Sequence, residues 1–427
     1  MLGVLAVLLV AGGVAAYAYY KDETSPTEKR GSPKVEFEPK EPRQKRSKME
    51  ERREPWPTYA YDRGRTHVSP FDHRPPYHRR WSIDAHDTLE FPPAVGYGTV
   101  FLAQQKGLFF ALDAETGRVR WRKDTHRCAA SSPTLHDGVV YQAYMDYVPC
   151  PQARPGATGY VIAWDAKTGK KLWKFRGAPF ESSPLYRNGN LYVGSWDHRV
   201  YAIRAKNGRK KWSFPADDEV NTGAAYAKGR IFIASDGGSL YALNAGNGRL
   251  RWQAQSNSKF GSREFFYATP TAAYGRIFIG NTDGTMYVYG QKTGRLLWAR
   301  PLGTYVYSAA AVWRRKVYAG TYDGRVYALD AGTGDVVWQK NAPAAVHGAP
   351  TVMDGLVYYA TCSTCGSAAS RAVKRGPDGT YALNARNGNF VWRFGAGKYA
   401  NPVVADESKI YVTGRANLYA LKPVRPR

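Results

Sequence analysis

One motif returns seven times in this 427-residue chain, and it restricts the possible folds more than any other feature. The copies read FALDAETGRVRW ending at Trp121, IAWDAKTGKKLW at Trp173, YAIRAKNGRKKW at Trp212 and YALNAGNGRLRW at Trp252. Then come YVYGQKTGRLLW at Trp298, YALDAGTGDVVW at Trp338 and YALNARNGNFVW at Trp392. The pattern is that of a hairpin. A strand stops at Asp or Asn, whose side chain bonds its own backbone in a turn. Thr-Gly or Asn-Gly closes the turn, because Gly accepts a positive φ, and the next strand carries the Trp. Counted from Trp81, the Trp spacings are 40, 52, 39, 40, 46, 40 and 54 residues. A period near 40 with several short strands per unit is the signature of a propeller.

Upstream turns such as Asp236-Gly237 and Asp323-Gly324, and a small-residue strand often opened by Pro, bring each unit to four strands. The ends set the blade count. Residues 417–421 begin an eighth copy that lacks its Gly and Trp, whereas Trp81 stands without the strands that should precede it. Joined, they make one shared blade, which closes the ring and removes its open edges. The expectation is an all-β, eight-bladed β-propeller over residues 56–427. The repeat resembles the tryptophan-docking motif of the quinoproteins, the pyrroloquinoline quinone (PQQ) dehydrogenase propellers. Trp56-Pro57-Thr58-Tyr59 and Arg63–His67 resemble that superfamily's lead-in. The resemblance implies that each Trp packs between blades and bonds the next motif through its ring nitrogen. It fixes no single function, since the same propeller serves enzymes, sensor domains and assembly scaffolds.

Residues 2–20 carry no charged side chain, and as a helix they would span about one hydrocarbon core. They read as a transmembrane helix with Tyr17, Tyr19 and Tyr20 at the headgroups, or as a signal sequence cleaved near Ala16-Tyr17-Ala18. Residues 21–55 mix Lys, Arg, Asp, Glu and Pro with little apolar surface, and a disordered linker is expected. The net charge of +26 therefore belongs mainly to the propeller, and it points to an anionic lipid or an envelope polyanion as a partner. Nucleic acid is not expected in an extracytoplasmic setting, and the chain is expected to be a monomer.

Longer loops interrupt the period at about 145–159, 253–267 and 361–379, all on the propeller end that joins blade to blade, here called the top. Cys128, Cys150, Cys362 and Cys365 lie there as well. Four cysteines in long loops favour two disulfides, Cys128–Cys150 and Cys362–Cys365, over zinc, and hence an oxidising compartment. The absence of Lys and Arg before residue 2 would by charge alone leave the propeller cytoplasmic; the cysteines reverse that expectation.

Among charged top-loop residues, Glu181, Asp217, Asn221 and Arg263 have the chemistry that a Ca²⁺–quinone site needs: oxygen ligands, an Arg near the quinone and a carboxylate base. The adjacent Cys-Cys pair of the alcohol-oxidising quinoproteins is missing, so no catalytic residue carries over. The sequence thus favours a membrane-anchored, extracytoplasmic binding or scaffolding module whose top face takes a protein, peptide or glycan, without a cofactor. The alternative is a PQQ- and Ca-dependent alcohol or sugar dehydrogenase.

Overall fold

The computed structural model describes residues 28–40, 48–150, 155–256, 265–366, 368–372, 375–399 and 403–424. Eight four-stranded antiparallel sheets succeed one another as blades. Blades 1 to 7 span 94–124, 134–177, 185–215, 225–255, 271–301, 311–341 and 351–394. Blade 8 combines Tyr77–Asp84 with Val404–Ala405, Ile410–Gly414 and Asn417–Pro423. Trp81 pairs there with Ala420, so the ring closes by the strand exchange expected from the two chain ends.

The second strands are almost wholly buried, as in Thr99–Ala103, whereas outermost strands such as Val119–Asp124 are largely exposed. The core therefore lies between blades. Phe232 and Trp252 of blade 4, for example, share one cluster with Ile277 and Tyr287 of blade 5. Seven docking bonds run around the ring, from Trp81 Nε1 to the Ala114 carbonyl at 3.1 Å through Trp338 to Ala385 at 3.1 Å. At the last seam Trp392 instead meets Tyr77 edge-on at 5.0 Å. The glycine of the motif serves this docking. Gly117 has φ +74°, and a Cβ there would lie 2.7 Å from the Trp81 ring.

The lead-in segment is aperiodic, and its course lines the inside of the ring. Trp56 exchanges two backbone bonds with Val95 of blade 1, and the Pro57 carbonyl accepts from Leu135 of blade 2. The carbonyls of Arg63, Gly64, Thr66 and His67 accept from Tyr226, Ala272, Val312 and Val352 of blades 4 to 7. His73 Nε2 lies 2.6 Å from the Asp406 carbonyl beside blade 8. Fully buried Arg65 sits at the centre. Its guanidinium donates to the Ala224 carbonyl (2.9 Å), Thr58 Oγ1 (2.9 Å) and the carbonyls of Tyr59, Ser183 and Pro184. This plug floors the axial channel.

Residues 28–40 correct the expectation of a disordered linker at that stretch. Lys29 exchanges two 2.9 Å backbone bonds with Ala299 on the outer strand of blade 5. Phe37 stacks on Tyr274 at 5.4 Å. Buried Arg276 donates to the carbonyls of Ser32, Val35 and Glu36 as well as to Ala331 and Gly332. Charge composition missed this because the strap's acids have partners: Glu28 meets Arg300 and Glu38 meets Lys228. The strap crosses the end opposite the top, where the first-to-second and third-to-fourth strand turns lie. The proposed membrane or signal segment 1–20 lies outside the described residues. No described helix is long and apolar enough to cross a membrane.

Candidate functional site

Each first strand is entered from the top by a loop whose residue three before the Pro, or its equivalent, points to the axis. Read around the ring from blade 1, this single repeat position is occupied by Glu90, Ala130, Glu181, Asn221, Tyr267, Tyr307, His347 and Tyr399. Ring closure gathers six of these positions, some 40 residues apart, into one funnel with Tyr59 in its lining, while Ala130 lines the depression beside it and Tyr399 packs against His347. The position divides the funnel by chemistry: carboxyl and amide groups on blades 1, 3 and 4, aromatic rings on blades 5 to 7. Second-to-third strand loops add Gln105 and Trp196 to the lining, while Asp236 and Tyr322 bond the funnel residues Asn221 and His347.

On the acidic side, Glu181 accepts from the Tyr267 hydroxyl and, at 3.3 Å, from Trp196 Nε1. Burial pushes its carboxyl up to about 8, and the nearby charges of Glu90 and Asp236 add to the rise. Asn221 Nδ2 donates to Asp236 Oδ2 at 2.8 Å. Burial raises Asp236 to about 7, with Glu219 and Asp218 contributing. Glu90, also raised by burial, accepts from Gln105 at 3.3 Å. On the aromatic side, Tyr267 stacks on Tyr307 at 4.4 Å and Tyr307 on His347 at 4.8 Å. Tyr322 bonds His347 Nδ1, and burial lowers His347 to about 4, so its ring is neutral. The funnel holds about 60 Å³. Beside it lies a depression of about 360 Å³ lined by Cys128, Met145, Cys150 and Trp196.

Both expected disulfides are present, Cys128–Cys150 and Cys362–Cys365, with Cα separations of 5.7 and 5.4 Å. The first ties the entry of blade 2 to its inserted loop across 22 residues. Replacing both of its cysteines with Ser is expected to cost about 3 kcal/mol, as set by the loop released. Urea unfolding under non-reducing conditions measures it.

Of the residues singled out by the sequence, Glu181 and Asn221 line the funnel. Asp217 stands apart from it, where its carboxylate accepts from the hydroxyls of Ser235 and Ser239. Arg263 lies outside the described residues. Glu90, Asp236 and the tyrosines were missed, because Asp236-Gly237 reads as a turn and a lone Tyr as core. The missing signal was the repeat register itself.

The groups that the quinoprotein fold implies can be tested against this donor set. Asn221 Oδ1 and Asp236 Oδ1 are buried without a hydrogen-bond partner. Yet among the described residues no three carboxylate, imidazole or thiolate groups converge as metal ligands do. A quinone bearing three carboxylates needs cations, and no Lys or Arg is among the described residues lining the funnel or the depression. Among the described residues the site thus supplies oxygen atoms but no such cation; the top loop 257–264, which carries Arg263, lies outside them.

The family model described as outer membrane protein assembly factor BamB, a PQQ-type repeat, matches residues 67–150, 153–222, 215–306 and 300–423. The chain belongs to this family. Relatives include the serine/threonine-protein kinase AfsK of Streptomyces coelicolor, 35% identical over 27% of this chain and 13% of that protein. The quinohemoprotein alcohol dehydrogenase ADH-IIG of Pseudomonas putida is 28% identical over 32% of the chain and 19% of the enzyme. BamB of Shewanella oneidensis is 28% identical over 26% of the chain and 27% of that protein. The matched stretches thus cover under a third of these relatives' own length. Among solved structures, BamB of Moraxella catarrhalis superposes with a TM-score of 0.63 at 16% identity, over 81% of this chain and 100% of that one. The quinohemoprotein alcohol dehydrogenase of Comamonas testosteroni gives 0.69 at 13%, over 87% and 81%. At such identities the likeness concerns the fold alone, and it is shared by an enzyme and an assembly factor.

Proposed function

We propose that this chain is a binding and scaffolding module of the cell envelope, anchored by its N-terminal apolar run, whose top-face funnel takes a cationic side chain of a protein partner. One observation carries the reading: the carboxyls of half-buried Glu90 and buried Glu181 face an arc of tyrosines and a neutral histidine, Asn221 beside them bonds Asp236, and no Lys or Arg is among the described lining residues. An acidic, aromatic pocket in a protein of net charge +26 suits a guanidinium or ammonium, which gains ion pairing on one side and cation–π contact on the other. The two disulfides support an oxidising compartment. Membership of a family named for an assembly factor supports a protein partner.

Titrating the protein with the tripeptide Gly-Arg-Gly, against Gly-Glu-Gly as control, tests it by calorimetry. Binding should strengthen as pH rises through about 7 to 8, where Asp236 and Glu181 give up their protons, and should fall about tenfold or more in Glu181→Gln. Equal binding of both peptides, or none, overturns the cationic ligand. The PQQ-dependent dehydrogenase reading rests on the 28% likeness to quinohemoprotein dehydrogenases and on the unpartnered oxygens of Asn221 and Asp236. Tight, Ca²⁺-dependent uptake of PQQ with dye reduction by an alcohol would replace the scaffold reading with it.

A further inference from the structure

The face opposite the funnel carries a second pattern, again at one repeat position. The residue after the turn glycine of the docking hairpin is Arg118, Lys170, Arg209, Arg249 and Arg295 in blades 1 to 5, and all five are exposed. In blades 6 and 7 that position is Asp335 and Asn389, and Asp335 is taken up by Arg30 of the strap at 2.8 Å. In blades 1, 2, 4, 6 and 7 the next two positions carry exposed apolar side chains: Val119, Leu172, Leu250, the Val336–Val337 pair, and Phe390 with Val391; in blade 3 they are Lys210 and Lys211. Phe390 is 64% exposed and Val119 51%. These hairpin tips supply seven of the twelve large apolar side chains exposed among the described residues, so the concentration is local rather than scattered. Every tip lies at the same height, because each third strand ends opposite the start of the second, as Asp113 does opposite Thr99.

We infer that this rim docks flat on an anionic bilayer, through cations on blades 1 to 5 and apolar tips on blades 1, 2, 4, 6 and 7. Lysines that only blunt an outer edge need no apolar neighbours, and a soluble polyanion would leave Phe390, Val336 and Leu172 in water. A membrane interface satisfies both sets, with cations at the phosphates and apolar side chains at the acyl boundary. The strap lies on the same end, so the chain reaches this face from its N-terminal side. Docking here turns the funnel away from the membrane and toward a partner. The rim and the funnel are separate sites, and a variant of one leaves the other's readout intact.

Hydrogen exchange on the full chain tests the rim in vesicles of phosphatidylcholine alone and in vesicles with one-third phosphatidylglycerol. Protection of the hairpin tips of blades 1 to 4 is expected only with the anionic lipid. Each cation removed weakens such attraction roughly fivefold, so Lys170→Glu with Arg209→Glu and Arg249→Glu should lower the protection factor by more than about a hundredfold. Phe390→Ser keeps the charge and should weaken docking about tenfold. Circular dichroism and cooperative thermal unfolding report that both variants are folded. Equal protection in the two kinds of vesicle, or none in either, overturns the inference. So does unchanged docking of Phe390→Ser, or the same protection by soluble polyphosphate, which would assign the rim to a polyanion instead.

Discussion

Arg65→Ala is expected to destabilise the propeller by about 4 kcal/mol or more, and to lower its yield at growth temperature. The side chain is fully buried and serves the carbonyls of Tyr59, Ser183, Pro184 and Ala224 together with Thr58 Oγ1. Those acceptors come from the plug and from the entries to blades 3 and 4, so one guanidinium fastens the floor to the ring. Burial lowers Arg65 to about 10, which still leaves it charged at neutral pH. Alanine would strand several buried acceptors and remove the positive charge that favours the Asp62 carboxylate. Arg65→Lys keeps the charge but not the planar fork, and should recover only part of the loss. Thermal and urea unfolding of the three forms measure the series. A Lys variant as stable as the wild type would show that charge alone matters there.

Glu181→Gln should make stability markedly less dependent on pH, leaving only the share that the raised carboxyls of Asp236 and Glu90 contribute. The folded carboxyl is pushed up to about 8 from 4.5, chiefly by burial. Because the folded value is the higher one, the stability this group contributes is full below about pH 4.5. It is lost as pH rises through about 8, where a charge must exist in a dry site. Gln stays neutral throughout. The advantage of the variant should therefore grow from nothing near pH 4 to as much as about 5 kcal/mol near pH 9. Denaturant unfolding at four pH values reads it directly. A constant difference across pH would mean that Glu181 already ionises freely.

The two predictions differ in how far the sequence prepared for them. The docking hairpins are local signals of fixed spacing, so strand order, the blade count of eight and the sharing of blade 8 could be read without coordinates. So could the two disulfides, since four cysteines sat in the loops of one end. Glu181 and Asn221 were visible as polar top-loop residues. Nothing local separated them from Asp217, which bonds Ser235 and Ser239 instead of facing the axis. Arg65 lay in an aperiodic segment, and no pattern could tell that its backbone would contact blade after blade. The strap was misjudged because composition counts charges without their partners.

What the amino-acid order determined alone is the ring, since each blade repeats the same short-range hairpin chemistry and the chain ends complete one another. The tertiary structure decided the site. Closing the ring brought one repeat position from six blades to a common axis. The plug sealed that axis from below, and the loss of water raised the carboxyls of Glu181 and Asp236. Desolvation depends on what surrounds a group in space, which no spacing along the chain records.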